Sequence, residues 1–280
     1  LGDVYKRQLQ NKIDVCLNAK KNDFIEVNEN GTYLNIRFSY IDTEWISGVI
    51  MTIDDVTSLM NLENNKKEFF QNASHELKSP LTCIIGYQQM ITEGILDTKE
   101  QILDSANKSL KEAIRMNDIL SDMLSLATIE ARQTSLKENI NPKAIIEDVV
   151  ITLSIEAKKN NIKISTDLDD NTLFASRTEF NEVVRNLIDN AIKYNKENGT
   201  IFVSYKDGIL IVKDTGIGIK DEDKSRIFER FYRVDKARSK KTGGTGLGLA
   251  IVKHICLNNN YKLDLDSRLG LGTSFKIYFK

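Results

Sequence analysis

The sequence predicts an α plus α/β protein. A hairpin of two long helices, paired with a second copy into a dimeric four-helix bundle, precedes a two-layer α/β sandwich, and a short β segment lies ahead of both. Three observations carry this. Helical periodicity runs from Thr57 to Glu93 and again from Lys99 to Arg132, with a break at Gly94 to Thr98. Beyond Pro142, strand and helix patterns interleave. Before Val56, the stretches Phe24 to Val27, Tyr33 to Phe38 and Trp45 to Ile53 are rich in aromatic and β-branched residues, with N-E-N-G at Asn28 to Gly31 marking a hairpin turn.

The 280 residues, 41% hydrophobic and 28% charged, suffice for about two domains with real cores. A net charge of −1 gives no overall attraction to nucleic acid or to an anionic membrane, so no nucleic-acid partner is expected. Cys16, Cys83 and Cys256 are scattered without metal-ligand spacing and read as reduced thiols of a cytosolic compartment. No run approaches the roughly 20 apolar residues of a membrane span; the best, Ile46 to Ile53, is interrupted by Ser47, Gly48 and Thr52.

Asp3 to Gln8, D-V-Y-K-R-Q, resembles the translation of a transposon-end sequencing adapter. Residues 1–8 are therefore expected to be non-native, and the gene to continue upstream into a membrane anchor. On that reading the chain is the cytoplasmic portion of a membrane sensor. Residues 9–56 hold the strand-like stretches and end in D-D-V-T before a charged helix. They resemble the C-terminal part of a PAS sensor domain.

Residues 57–135 carry the helical pair. On the first helix Leu62, Phe69, Phe70, Ala73, Leu77, Leu81 and Ile84 recur at helical spacing. On the second, Leu103, Ala106, Leu110, Ala113, Leu120, Leu124 and Ala127 form one face, widened by Ile114, Met116, Ile119 and Met123. So wide a stripe exceeds what one hairpin buries, hence the expected second copy. His75 lies roughly 200° around the helix from both Ala73 and Leu77, so it points away from the apolar stripe. Glu76 is its neighbour, and Pro80 should bend the helix just beyond. An imidazole with a free ring nitrogen beside a carboxylate suits nucleophilic work. Alone, the same pattern fits a solvated histidine with no task.

Residues 136–280 form the third region. Ala144 to Asn160, Arg177 to Tyr194 and Gly246 to Asn258 read as helices. Lys163 to Asp167, Ile201 to Tyr205, Ile209 to Lys213, Tyr261 to Asp266 and Thr273 to Phe279 read as strands, the middle two joined by a turn at Asp207-Gly208. In N-L-I-D-N-A-I-K-Y, Asn186 and Asn190 share one helix face, and Lys193 and Tyr194 follow a turn later. Asp214 ends a strand and enters D-T-G-I-G, where Gly216 and Gly218 let the backbone approach a flat ring. Gly243 to Val252, G-G-T-G-L-G-L-A-I-V, is a glycine-rich loop opening a helix, whose first N–H groups suit an anion. Each motif alone is common.

In this order and spacing they resemble the N, G1 and G2 boxes of the Bergerat-type ATPase and kinase fold. Ile227 to Arg233 is similar to its F box, and Leu271 to Phe275 to its last glycine box. S-H-E-L-K-S-P-L-T around His75 resembles the phospho-accepting H-box of sensor histidine kinases. The resemblance covers nearly all of residues 57–280, and no G-x-x-x-x-G-K-[ST] motif is present.

The resemblance implies ATP and Mg²⁺ as cofactors. Asn190 is implied to hold Mg²⁺ with Asn186 in support, Asp214 to accept from the adenine amine, and Lys193 and Arg233 to meet phosphate oxygens. It further implies that Tyr194 lines the pocket and that the loop residues Gly244, Thr245, Gly246, Leu247 and Gly248 cradle the phosphates. Lys220 to Lys241 is implied to be a lid, while His254 reads as structural. Hydrolysing members of the fold superfamily carry a general-base Glu four residues before the Mg²⁺ asparagine. Here that place is Asn186, which takes no proton.

The implied activity is autophosphorylation of His75 by ATP with Glu76 assisting, then transfer to an aspartate of a response regulator receiver domain. The junction of a PAS-like segment with the H-box helix most resembles sensor kinases of the phosphate-starvation and cell-wall type. In such kinases the residue four past the histidine is often a threonine that aids dephosphorylation of the regulator. Here that place is Ser79. Two other classes share part of the pattern: a gyrase- or chaperone-like ATPase, opposed by Asn186 and the H-box, and a non-catalytic nucleotide-binding scaffold, opposed by His75, Asn190 and Asp214 together.

Overall fold

The computed structural model describes residues 3–131, 135–234 and 244–279. The chain forms two compact units, Leu1–Ser74 and His75–Lys280. In the first, helix α1 (Asp3–Ala19) packs on an antiparallel sheet in the order β1 (Asp23–Glu29), β2 (Thr32–Asp42), β3 (Ser47–Asp55). The strands fall where the β-branched and aromatic runs placed them, and Asn30-Gly31 makes the first turn. Helix α1 was not foreseen, and residues 3–8 lie in its first turns. Its signal is Leu9, Ile13 and Cys16, which recur at helical spacing and pack around Val27, Ile36 and Phe38. A helix and three strands fit a partial PAS-like segment. Helix α2 (Thr57–Thr92) starts directly from β3: Asp55 accepts the Thr57 N–H at 2.9 Å, and Thr57 Oγ1 accepts the Tyr33 N–H at 2.8 Å.

In the second unit, the rest of α2 and helix α3 (Lys99–Glu130) form the expected hairpin. Gly94 takes φ +67°, a conformation that ends α2 without the strain a side chain would add, and the Ile95 N–H closes the turn on the Met90 carbonyl. Thr98 and Gln101 then cap α3 reciprocally. Helix α2 remains helical through Pro80. On α3 the surfaces buried within the chain are Ser105, Ser109, Ile119 and Leu126. Leu103, Leu110, Ile114, Leu120 and Leu124, the core of the apolar stripe, stay exposed in the single chain.

The sandwich begins with β4 (Glu138–Ile140), which pairs with β6 (Leu173–Ala175), a two-stranded element too short to show in the sequence. Helix α4 (Pro142–Lys159) starts with Asn141 as cap and proline in its first turn. Helix α5 (Arg177–Lys193) is capped by Ser176. The main sheet has the order β5 (Lys163–Leu168), β7 (Thr200–Lys206), β8 (Ile209–Asp214), β10 (Gly272–Tyr278), β9 (Lys262–Arg268). Among the described residues only the β5–β7 pair of this sheet is parallel.

Alternate strand residues Ile201, Val203, Tyr205, Leu210, Val212, Phe275 and Ile277 are buried, as are Val183, Val184, Leu187 and Ile188 of α5 and Ile251, Val252 and Ile255 of α6 (Gly248–Asn259). Each such side chain contributes about 1.5–3 kcal/mol relative to exposure, so this helix–sheet interface sets the geometry of the residues on its rim. Helix α6 also packs against α3, where the Asn258 amide donates to the Ile129 carbonyl at 2.7 Å. Among the described residues no helix is long and apolar enough to cross a membrane.

Candidate nucleotide and phosphoacceptor site

The rim encloses a cavity of 710 Å³ between α5, the end of β8, the start of α6, the segment at Arg233 and one side of α3. Eleven residues assigned to the nucleotide from the sequence line it: Asn186, Asn190, Lys193, Tyr194, Asp214, Gly218, Arg233, Gly244, Thr245, Gly246 and Gly248. Gly216 and Leu247 do not. Leu247 is fully buried in the core, and its N–H donates to Thr245 Oγ1. A Cβ on Gly216 would lie 2.3 Å from the Tyr194 carbonyl oxygen and one on Gly218 2.0 Å from that of Arg268. Both glycines thus allow close approach of protein backbone. At Gly248 a Cβ would lie 2.4 Å from Asn186 Oδ1, so a side chain there would require the Asn186 amide to shift.

Asp214 is buried at the end of β8. Its Oδ1 accepts the N–H groups of Gly216 at 2.7 Å and Thr273 at 3.2 Å, which leaves Oδ2 without a partner among the described residues. Burial pushes this carboxyl up from the ordinary aspartate range, against the two N–H donors that favour its charged form. Asn186 Nδ2 donates to the Glu182 carbonyl and carboxylate at 2.9 and 3.1 Å. The Asn190 amide has no hydrogen-bond partner among the described residues and lines the cavity. Burial works against the charge of Lys193, but Asp189 at 2.7 Å holds it above the usual lysine range. Tyr194 is likewise raised, chiefly by burial. The stretch expected to act as a lid begins with two single 3-10 turns, Asp221–Asp223 and Arg226–Phe228, while its residues 235–241, and Gly243 of the glycine loop, lie outside the described residues.

One wall of the cavity was not foreseen. Asn117, Asp118, Ser121, Asp122 and Ser125 of α3 line it, and Thr245 Oγ1 donates to Asp122 Oδ2 at 2.6 Å. Burial pushes the Asp122 carboxyl up, opposed by the Thr245 hydrogen bond, and Glu182 adds to the rise. The sequence signal is a row of polar residues on α3 that adjoins the apolar stripe, with Asn117 on the stripe itself, and it reads equally as a solvated surface. Farther along, Glu130 accepts from Arg230 and lies 3.2 Å from His254 Nε2. Burial lowers the His254 pKa, against the pull of Glu130.

His75 and Ser79 are exposed on α2, and neither they nor Glu76 lines the cavity. The Glu76 carboxylate, placed by sequence to serve the histidine ring, meets two arginines: Oε2 lies 3.4 Å from Arg115 Nη2 and 3.3 Å from Arg233 Nη2. Arg233 therefore spans from the cavity wall to the residue beside His75.

A helical hairpin bearing an exposed histidine, followed by a sandwich whose rim encloses a nucleotide-sized cavity, defines a phosphoacceptor module joined to an ATPase-type domain. Residues 65–132 match the His Kinase A (phospho-acceptor) domain, and residues 175–280 match the histidine kinase-, DNA gyrase B- and HSP90-like ATPase family. The chain is 36% identical to the phosphate regulon sensor protein PhoR of Pseudomonas aeruginosa, over 82% of this chain and 53% of that protein. It is 32% identical to the sensor protein SrrB of Staphylococcus aureus, over 97% of this chain and 48% of that protein. Among solved structures it resembles histidine kinase ThkA in complex with response regulator protein TrrA, with a TM-score of 0.59 and 26% identity over 96% of this chain and 82% of that one. The chain spans about half the length of the curated relatives it matches. It belongs to the sensor histidine kinases.

Proposed function

We propose that this chain autophosphorylates His75 from ATP and passes the phosphoryl group to an aspartate of a response regulator. The observation that carries the reading is Arg233, a cavity-lining residue in contact with Glu76, the neighbour of the exposed His75. It ties the nucleotide domain to the acceptor helix through one side chain. Asp214 Oδ2 would accept from the adenine exocyclic amine, an amine that guanine replaces with a carbonyl. The backbone N–H groups opening α6 would take phosphate oxygens, with Arg233 and Lys193 beside them. Glu76 would hold the proton of the ring nitrogen that does not attack.

The donor set suits Mg²⁺ held mainly by phosphates and water, since the unpartnered Asn190 amide offers one oxygen to the cavity. Among the described residues no group of three or more histidine, cysteine or carboxylate side chains competes as a metal site. The ion would neutralise phosphate charge. A regulator partner is supported by the ThkA–TrrA complex. A homodimer through residues 57–135, with 136–280 as the catalytic domain, is supported by the apolar stripe that α2 and α3 leave exposed.

Incubation with γ-labelled ATP tests the reading. Acid-labile label on the protein, lost in His75→Gln while affinity for a fluorescent ATP analogue stays near wild type, is the expected result. Free phosphate without protein label would mean an ATPase, and undiminished label in His75→Gln would remove His75 as the acceptor.

A further inference from the structure

Arg115 lies on α3, outside every motif that marks this family in the sequence. Its side chain is only 13% exposed and that of Arg233 only 5%, and in both the Nε atom is buried without an acceptor among the described residues. The two guanidinium groups converge on the same oxygen, Glu76 Oε2. At 3.4 and 3.3 Å both contacts are longer than the about 2.7–2.9 Å of tight charge-assisted bonds, so the carboxylate is shared between the two arginines. They differ in what else they reach. Arg233 lines the nucleotide cavity, whereas Arg115 does not and is instead anchored by Glu112, one turn back on α3, at 3.8 Å.

We propose that Arg115 is a positioning residue for phosphoryl transfer: it keeps the Glu76 carboxylate in place when Arg233 turns to the phosphates of bound ATP. The inference rests on the proposed function. In the transfer step a ring nitrogen of His75 attacks the γ-phosphorus. The bond from that phosphorus to the bridging oxygen breaks, and ADP leaves with the electron pair. Glu76 meanwhile holds the proton on the other ring nitrogen. If Arg233 alone fixed Glu76, its departure to the nucleotide would free the carboxylate to swing through its rotamers at the moment it is needed. Arg115, which reaches no nucleotide, supplies a second hold that stays.

The test is single-turnover labelling of the full chain with γ-labelled ATP. Arg115→Met should slow labelling of His75 about tenfold at saturating ATP, with the affinity for a fluorescent ATP analogue and the melting temperature unchanged. Arg115→Lys should recover part of the loss, since an ammonium group can still pair with Glu76. In a Glu76→Gln background, followed over hours, Arg115→Met should cost less than about twofold, because the group it positions is gone. An equal cost in both backgrounds would overturn the inference and make Arg115 a packing residue of the hairpin. A faster rate in Arg115→Met would overturn it too, showing that the arginine draws Glu76 away from the histidine. Wild-type protein that binds ATP but takes no label on His75 would instead overturn the proposed function, and this inference with it.

Discussion

Asp122→Asn should tighten nucleotide binding, although Asp122 belongs to the acceptor hairpin and to no nucleotide motif. The carboxylate lies in the cavity wall and accepts from Thr245 Oγ1, the hydroxyl of the glycine-rich loop that also receives the Leu247 N–H. An acidic oxygen therefore sits at the loop proposed above to receive phosphate. A phosphate group settling beside Thr245 would come within about 5 Å of that carboxylate, and two unit charges so placed repel by about 3 kcal/mol at an effective dielectric constant near 20. Counter-ions and solvent reduce this to about 1–2 kcal/mol, or roughly 5- to 30-fold in affinity. Asparagine keeps an oxygen for Thr245 and loses the charge.

The assay is titration of a fluorescent ATP analogue, with Asn190→Ala as the control that binding occurs in this cavity. A second reading follows from the pKa. Burial raises Asp122 above its unfolded value, so its contribution to stability is present below the ordinary aspartate range and is lost as pH rises through the raised value. Asp122→Asn has no such loss, and its melting temperature should gain on wild type from acid to neutral pH. Unchanged or weaker nucleotide affinity in Asp122→Asn would refute the idea that this carboxylate competes with phosphate.

Asp214→Asn should lower the preference for ATP over GTP about tenfold, because one amide can offer either an acceptor to adenine or a donor to guanine; competition against the fluorescent analogue measures it, and unchanged selectivity would place base recognition elsewhere. The same variant should melt no lower than wild type at neutral pH. The raised carboxyl's contribution to stability is full below the ordinary aspartate range and is lost as pH rises through its raised value, and asparagine can still accept from Gly216 and Thr273. Ser79→Ala should slow decay of the phosphorylated regulator to the rate of the regulator alone while His75 is still labelled. Ser79 is exposed one turn from His75, and its hydroxyl has no partner among the described residues; equal decay with and without the hydroxyl would show that it has no catalytic part.

The fold and the cavity were legible to different depths for physical reasons. Elements whose signal is local came through: the turns at Asn30-Gly31 and Asp207-Gly208, the break between α2 and α3 at Gly94, and the strand at Ile201, Val203 and Tyr205 all depend on neighbours in sequence. The cavity residues on α5, β8 and the glycine loop were legible because a phosphate or a purine constrains residue types at fixed spacing. Helix α1 carried its signal too, but its few apolar positions face a small sheet and sit among many polar ones. Strands β4 and β6 each span three residues, less than one alternation can establish.

What stayed hidden is the contact between hairpin and sandwich. Asp122 meets Thr245, Glu130 meets Arg230 and His254, and Glu76 meets Arg115 and Arg233, all across long stretches of chain. Charged and hydroxyl side chains at helical spacing look the same whether water or a second domain lies opposite, since either satisfies their hydrogen bonds. An apolar stripe has no such ambiguity, because exposing it costs free energy. Polar contacts between hairpin and sandwich are therefore the least legible features of this chain. A group that pairs equally well with water or with a partner can change partners, and Arg233, between Glu76 and the nucleotide cavity, has both choices within reach.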